Sequence, residues 1–201
     1  MNDRATNTST RSARITRKTR ETSIELALDL DGTGATDIRT GIGFLDHLLT
    51  ALAFHARFDL TLACSGDLHV DDHHTVEDCA LALGAAIDQA LGDRRGIARF
   101  GWASVPMDEA LAQAAVDLVR RPFAALDLRL RRERLGELSC ENVPHFLQSL
   151  ATAGAFTLHC NVLYGSNDHH QAEAAFKALA LALRQAVARV SDDAPSTKGV
   201  M

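Results

Sequence analysis

A chain of 201 residues with 46% apolar content is long enough to bury one sizeable core without disulfide staples. Its net charge of −5 argues against nucleic acid or a membrane surface as the main partner, since both reward a basic face, and leaves a small molecule or a protein as the better expectation. Cys64, Cys79, Cys140 and Cys160 form no CxxC pair, which fits free thiols in a reducing cytoplasm, and no apolar run is long enough to span a bilayer.

Residues 1–14, MNDRATNTSTRSAR, are polar and lack the apolar core of a secretory signal, so a disordered arm is expected there. SIELALDLDGTG alternates apolar and other residues through Ile24, Leu26, Leu28 and Leu30 before Asp31-Gly32, the pattern of a strand entering a turn; a short return strand through Ile38 would complete a hairpin. FLDHLLTALAFH has helical spacing, and FDLTLAC reads as a strand. Asp72 or Asp71 can cap the helix TVEDCALALGAAIDQAL, which ends at Gly92. GIARFGWASV, DEALAQAAVDLV and PFAALDLRL follow as strands, the second of them ambiguous because alanine and leucine also suit a helix. NVPHFLQSLATAGAF reads as a helix and TLHCNVLYG as a strand. A last long helix, capped by Asn167 or Asp168, runs from about His169 to about Arg189 and leaves SDDAPSTKGVM as a polar tail.

The second half repeats the first. DHHTVEDCALALGAAIDQAL and DHHQAEAAFKALALALRQAV align without a gap, with His73 matching His169, 96 positions on. The preceding helices also match, with His47 opposite His145, 98 positions on. A repeat of this length is a duplicated half-domain of strands and two helices, which favours pseudo-twofold symmetry. The expected organisation is a single domain over 15–201, with repeats at about 15–104 and 105–190 and a functional tail over 191–201.

The repeat carries metal-ligand chemistry. His73 and Glu77, one helical turn apart, project on one face and can grip one ion, whereas His74 lies about a hundred degrees round the helix. Two adjacent histidines therefore imply two metals. The second copy repeats this with His169, His170 and Glu173, and the preceding helices add His47 and His145. Six of nine histidines on two aligned repeats divide naturally into two sites of three histidines and one glutamate, a set suited to Mn, Fe, Zn or Ni. His69 and His159 sit in strand-like stretches and read as structural; His55 ends the helix that begins near His47 and can reach the same cleft. Isolated basic residues, Arg99, Arg121, Lys177 and the STKG of the tail, suit an anionic ligand such as phosphate.

The ordered segments RKTRETSIELALDLDG, TGIGFLDHLL, GDLHVDDHHTVEDCALALG, GIARFGWASVPMDEAL, VDLVRRPF, GSNDHHQAEAAFKA and STKG resemble the imidazoleglycerol-phosphate dehydratase family of histidine biosynthesis, over nearly everything after residue 15. The resemblance implies an α/β (α+β) fold of duplicated half-domains like domain 2 of ribosomal protein S5, each a four-stranded sheet packed with helices. It also implies a cytoplasmic, monofunctional hydro-lyase assembled as a homo-oligomer of twenty-four subunits. The reaction implied is manganese-dependent loss of water from imidazole glycerol phosphate to give imidazole acetol phosphate, with the substrate ring held as imidazolate by two Mn2+ per active site. By position the family's manganese ligands fall on His47, His73, His74, Glu77, His145, His169, His170 and Glu173, the set that the repeat yields independently. Its substrate contacts fall on Glu21, His55, Arg99, Arg121, Lys177, Ser196 and Lys198. Glu21 is then the candidate base, His55 or a metal the group assisting the departing hydroxyl, and the rest the phosphate clamp. Two other readings fit the metal ligands alone: a metal-dependent hydrolase, and a non-catalytic metal-binding protein.

Overall fold

A computed structural model describes residues 11–191, 193 and 195. The first half contributes β1 (Ser12–Lys18), β2 (Thr22–Asp29), β3 (Thr36–Arg39), α1 (Gly43–Ala56), β4 (Asp59–Gly66) and α2 (His73–Leu91). The second contributes β5 (Phe100–Met107), β6 (Ala110–Asp117), β7 (Phe123–Asp127), β8 (Arg134–Leu135), β9 (Leu138–Ser139), α3 (Asn142–Ala153), β10 (Thr157–Tyr164) and α4 (Asp168–Ala186). The two four-stranded sheets, ordered β1-β2-β4-β3 and β5-β6-β10-β7, correspond element by element as a duplication requires. The β8–β9 hairpin is an insertion without a counterpart in the first half.

Alternation places Ile24, Leu26 and Leu28 of β2, Leu60 and Leu62 of β4, and Leu158, Cys160 and Val162 of β10 on the helix-facing side of their sheets, all buried. α2 packs on β1 and β2, α4 on β5 and β6, and the halves join through α1 on α4 and α2 on α3. Small residues permit this approach: a Cβ on Gly84 of α2 would stand 2.6 Å from the Leu150 carbonyl oxygen of α3. Among the described residues no helix is long and apolar enough to cross a membrane.

Several expectations are corrected in detail. β3 does not return along β2. β2 pairs antiparallel with β1 and, from Thr22–Gly66 to Asp29–Asp59, with β4, while β3 lies parallel to β4 on the far edge. The α1 crossover between β3 and β4 allows that parallel pairing. The four residues of β3 offer the core only Ile38, whereas the eight-residue β4 matches β2 in length and buries Leu60 and Leu62. The chain after Asp31 is held instead by Asp59 Oδ1, which accepts from the N–H groups of Thr33, Gly34 and Ala35 at 2.7, 3.0 and 2.9 Å, with Gly34 at φ +94°. Residues 11–14, expected within the arm, belong to the fold, because Ser12 opens β1 opposite Asp29 and Arg11 donates to Asp31 (Nε–Oδ2 2.9 Å) and to the Val187 carbonyl; residues 1–10 of the expected arm lie outside the described residues. β5, which a boundary near 104 would divide, lies wholly in the second sheet. α4 stops at Ala186 because the following segment turns back to bridge Ile97 through Arg189. Asp71 rather than Asp72 accepts from the His73 N–H (2.9 Å), and Asn167 rather than Asp168 accepts from that of His169 (3.0 Å).

The two halves are also tied by Arg94, just beyond α2 and fully buried. It donates to the carbonyls of Gly154 and Ala155 at 2.7 Å each and to Asp88 at 2.6 Å. Arg94→Met leaves the buried Gly154 carbonyl and the half-buried Ala155 carbonyl without this donor and is expected to lower unfolding stability by about 2–4 kcal/mol, measured from the shift of the denaturant midpoint; a loss below about 1 kcal/mol would show that water replaces the guanidinium.

Candidate metal centres

The helix pairing that joins the halves also gathers the histidines. His47 of α1 meets His169 and Glu173 of α4, and His145 of α3 meets His73 and Glu77 of α2, the ligand atoms within each triad lying within 4.8 Å of one another. His47 Nε2 and His169 Nε2 converge on one oxygen, Glu173 Oε2, at 3.0 and 3.1 Å. In the other triad His73 and His145 stack with centroids 4.7 Å apart, and His145 Nε2 stands 3.4 Å from Glu77 Oε1. That nitrogen is buried without a hydrogen-bond partner, which is the position of a metal ligand rather than of a satisfied core histidine. Two imidazoles and one carboxylate per triad fit a divalent transition ion and leave coordination positions open.

The expected division into three histidines and one glutamate is not met within the chain. His74 and His170 point away from the triads that hold their neighbours. His74 Nδ1 lies 3.0 Å from Asp67 Oδ2 and His170 Nδ1 2.6 Å from Glu109 Oε2, contacts that raise both imidazole pKa values. A carboxylate on Nδ1–H fixes the ring and makes Nε2 the better ligand. Asp67 and Glu109 have no repeat signal, since one lies in the β4–α2 loop and the other in the β5–β6 turn, and each is one acid among several in its segment. Asn142, whose Oδ1 is 3.1 Å from His73 Nδ1, and Phe44, whose ring centroid is 4.9 Å from that of His169, are likewise seen only in the fold.

The expected substrate contacts fall in three places. Lys177 Nζ is 2.6 Å from Glu173 Oε1; burial works to raise the Glu173 carboxyl, but Lys177 and His47 outweigh it and hold it at about 2. His55, beside this triad, is pushed below the ordinary imidazole value by burial and then by the Lys177 ammonium. Glu21 is exposed in the β1–β2 turn, with Oε1 3.9 Å from His74 Nε2. That turn is fastened to α2 by the buried Asp78, which accepts from Arg17 at 2.7 Å and from the Thr22 hydroxyl. Arg99 is paired with Asp117 at 2.7 and 3.0 Å and donates to the Pro195 carbonyl at 3.0 Å, while Arg121 is exposed. Ser196 and Lys198 lie outside the described residues. Of the histidines read as structural, His159 is on the outer face of β10, but His69 lies in an exposed turn rather than a strand.

A family model described as imidazoleglycerol-phosphate dehydratase matches residues 40–183. A relative of that name from Phytophthora nicotianae is 59% identical over 192 residues, covering 95% of this chain and 42% of its own length, so the chain spans less than half of it. One from Cereibacter sphaeroides (strain KD131) is 55% identical over 194 residues, covering 95% of this chain and all of its own. The crystal structure of IGPD from Pyrococcus furiosus in complex with (S)-C348 is 36% identical, covers 93% of this chain and 100% of its own, and superimposes with a TM-score of 0.81. A family match over most of the chain, carried by the segments that bear both triads, places this protein in the imidazoleglycerol-phosphate dehydratase family of hydro-lyases.

Proposed function

We propose that the chain removes water from imidazole glycerol phosphate to give imidazole acetol phosphate in histidine biosynthesis, with manganese held by the two triads. The observation that carries this reading is the pair of matched His-His-Glu triads, each built from both halves, because the substrate's imidazole offers two nitrogens. The carbon that loses its proton is not next to a carbonyl, so the ring has to serve as the electron relay. Manganese, when bound, supplies Lewis acidity to the ring nitrogens.

The protein's own groups do the rest. Glu21 takes the proton from the side-chain carbon; its turn is anchored through Thr22 and Asp78, so the carboxylate is delivered from a fixed backbone beside His74. His55, kept neutral by burial and by Lys177, hydrogen-bonds the departing hydroxyl. Arg99, Arg121 and Lys177, with Ser196 and Lys198 of the tail, hold the phosphate, and their work is positioning. The Arg99–Pro195 contact supports this assignment, since it brings the start of the tail to the Arg99 guanidinium.

The proposed active site is completed by further copies of the chain. His74 and His170 are each oriented by a carboxylate and turned off their own triad, so the nitrogen left free on each ring is offered to an ion that its neighbour does not hold. Contact between copies supplies that ion, in keeping with the assembly of twenty-four that the family resemblance implies.

Glu21→Gln is expected to bind manganese with unchanged stoichiometry while kcat falls roughly 10²–10⁴-fold, the usual worth of a positioned base; full-rate turnover would assign the proton to another group. For Arg121→Ala, steady-state kinetics should show KM raised about tenfold at nearly constant kcat, the signature of lost uniform binding. A collapse of kcat at constant KM would instead put Arg121 in the bond-making step. Chelation of divalent metal is expected to shift sedimentation toward smaller species, reversibly on adding manganese. An unchanged profile counts against metal ligation between copies.

A further inference from the structure

The two triads hold corresponding ligands in different ways. We infer that Asn142 is a positioning residue that fixes the tautomer of His73 and so presents Nε2 of that ring to a metal ion; the inference rests on the metal reading above. The contacts run inward from the β8–β9 hairpin. Ser139 donates to Asp72 through its N–H at 2.6 Å and its hydroxyl at 2.8 Å. Asn142 stands with its side chain beside the Asp72 carboxylate, and Asn142 Oδ1 lies 3.1 Å from His73 Nδ1. Asp72, Ser139 and Asn142 are 5%, 9% and 3% exposed, so solvent has little part in the arrangement.

The direction of these bonds follows from which groups can donate. The Asn142 oxygen that faces His73 is an acceptor only, so Nδ1 of that ring must carry the proton, and the Asn142 NH2 is left on the side of Asp72. A neutral imidazole has one N–H, so Nε2 keeps its lone pair for a ligand. The Asn142 amide thus sets the tautomer of the His73 ring. Among the described residues the other triad has no such device. The position that duplicates Asn142 is Phe44, whose ring packs at 4.9 Å from His169 and 5.8 Å from His47 and selects no tautomer. Its Glu173 is also engaged by Lys177, a position occupied by Leu81 in the duplicate. The two centres are therefore inequivalent.

The test uses the whole, metal-free, 15N-labelled protein at a pH where the ring is neutral. Long-range proton–nitrogen spectra are expected to show His73 as the Nδ1–H tautomer, and Asn142→Leu, of similar volume, to lose that preference. Calorimetric titration with manganese should then show one of two affinities lowered roughly 10–100-fold, as for other groups that orient a ligand, with the second unmoved. Asp72→Asn, whose amide can donate as well as accept, should loosen the tautomer while leaving Asn142 in place. An Nε2–H tautomer in the unaltered protein, or an Asn142→Leu variant with unchanged tautomer and affinities, overturns the inference. The spectrum of the unaltered protein decides it even where both variants fail to fold. If that protein takes up no manganese, the metal reading falls, and the Nδ1–H signal still decides the relay itself.

Discussion

Packing of helices across the two halves is the constraint on which both triads depend. Neither half holds three ligands alone: His47 of the first reaches His169 and Glu173 of the second, and His145 of the second reaches His73 and Glu77 of the first. Ligand geometry tolerates displacements of only about 0.5 Å, so the distance between α1 and α4, and between α2 and α3, is itself part of the site. That distance is set by small residues. Gly84 lets α2 touch the α3 backbone, and Ala172, Ala175, Ala178, Ala182 and Ala186 are fully buried along α4. The alanine content of the last helix is thus as much a part of the proposed metal sites as the histidines it carries.

Burial of Glu173 shows what close packing costs. A carboxylate side chain 8% exposed loses most of its hydration, and its charge survives only because His47, His169 and Lys177 converge on it. An ion arriving there replaces an existing cation contact rather than filling a neutral hole, which couples metal affinity to whatever else engages Lys177. Glu77 has no lysine partner among the described residues, and its triad instead contains the unpartnered nitrogen of His145. Two sets of identical residue types therefore confront a metal with different electrostatic starting points.

Much of this was legible in the sequence, for reasons that also mark where legibility ends. Period-two and period-3.6 patterns fix strands and helices locally, and the gapless match of the two DHH segments exposes the duplication and with it every member of both triads. Which helix meets which is a long-range property, so the exchange of His47 and His145 between halves leaves no local trace. β3 illustrates the same limit: its residues suit a strand, but whether it pairs with β2 or β4 is decided by core burial and by the grip of Asp59 on the preceding loop. Asp67, Glu109 and Asn142 were invisible because an orienting residue is defined by contact with a ligand, not by its own type, and polar residues abound in the loops that supply them.

The places where the duplication is broken are chemically consistent with one another. Ligands obey the repeat; the proposed substrate contacts do not. Lys177 is matched by Leu81 and His55 by Ala153, which fits a substrate whose ring is nearly symmetric in its two nitrogens but whose hydroxyl and phosphate lie on one side only. Glu21 completes the pattern. It ends the β1–β2 turn just as Glu109 ends the β5–β6 turn, and Glu109 is spent holding His170 at 2.6 Å. In the first half Asp67 takes over the corresponding task for His74, so Glu21 is released from a structural duty that its duplicate still performs. An exposed carboxylate 3.9 Å from His74 and with no ring to hold suits the proton-accepting role proposed for Glu21, and the acid in the β4–α2 loop is what leaves it unengaged.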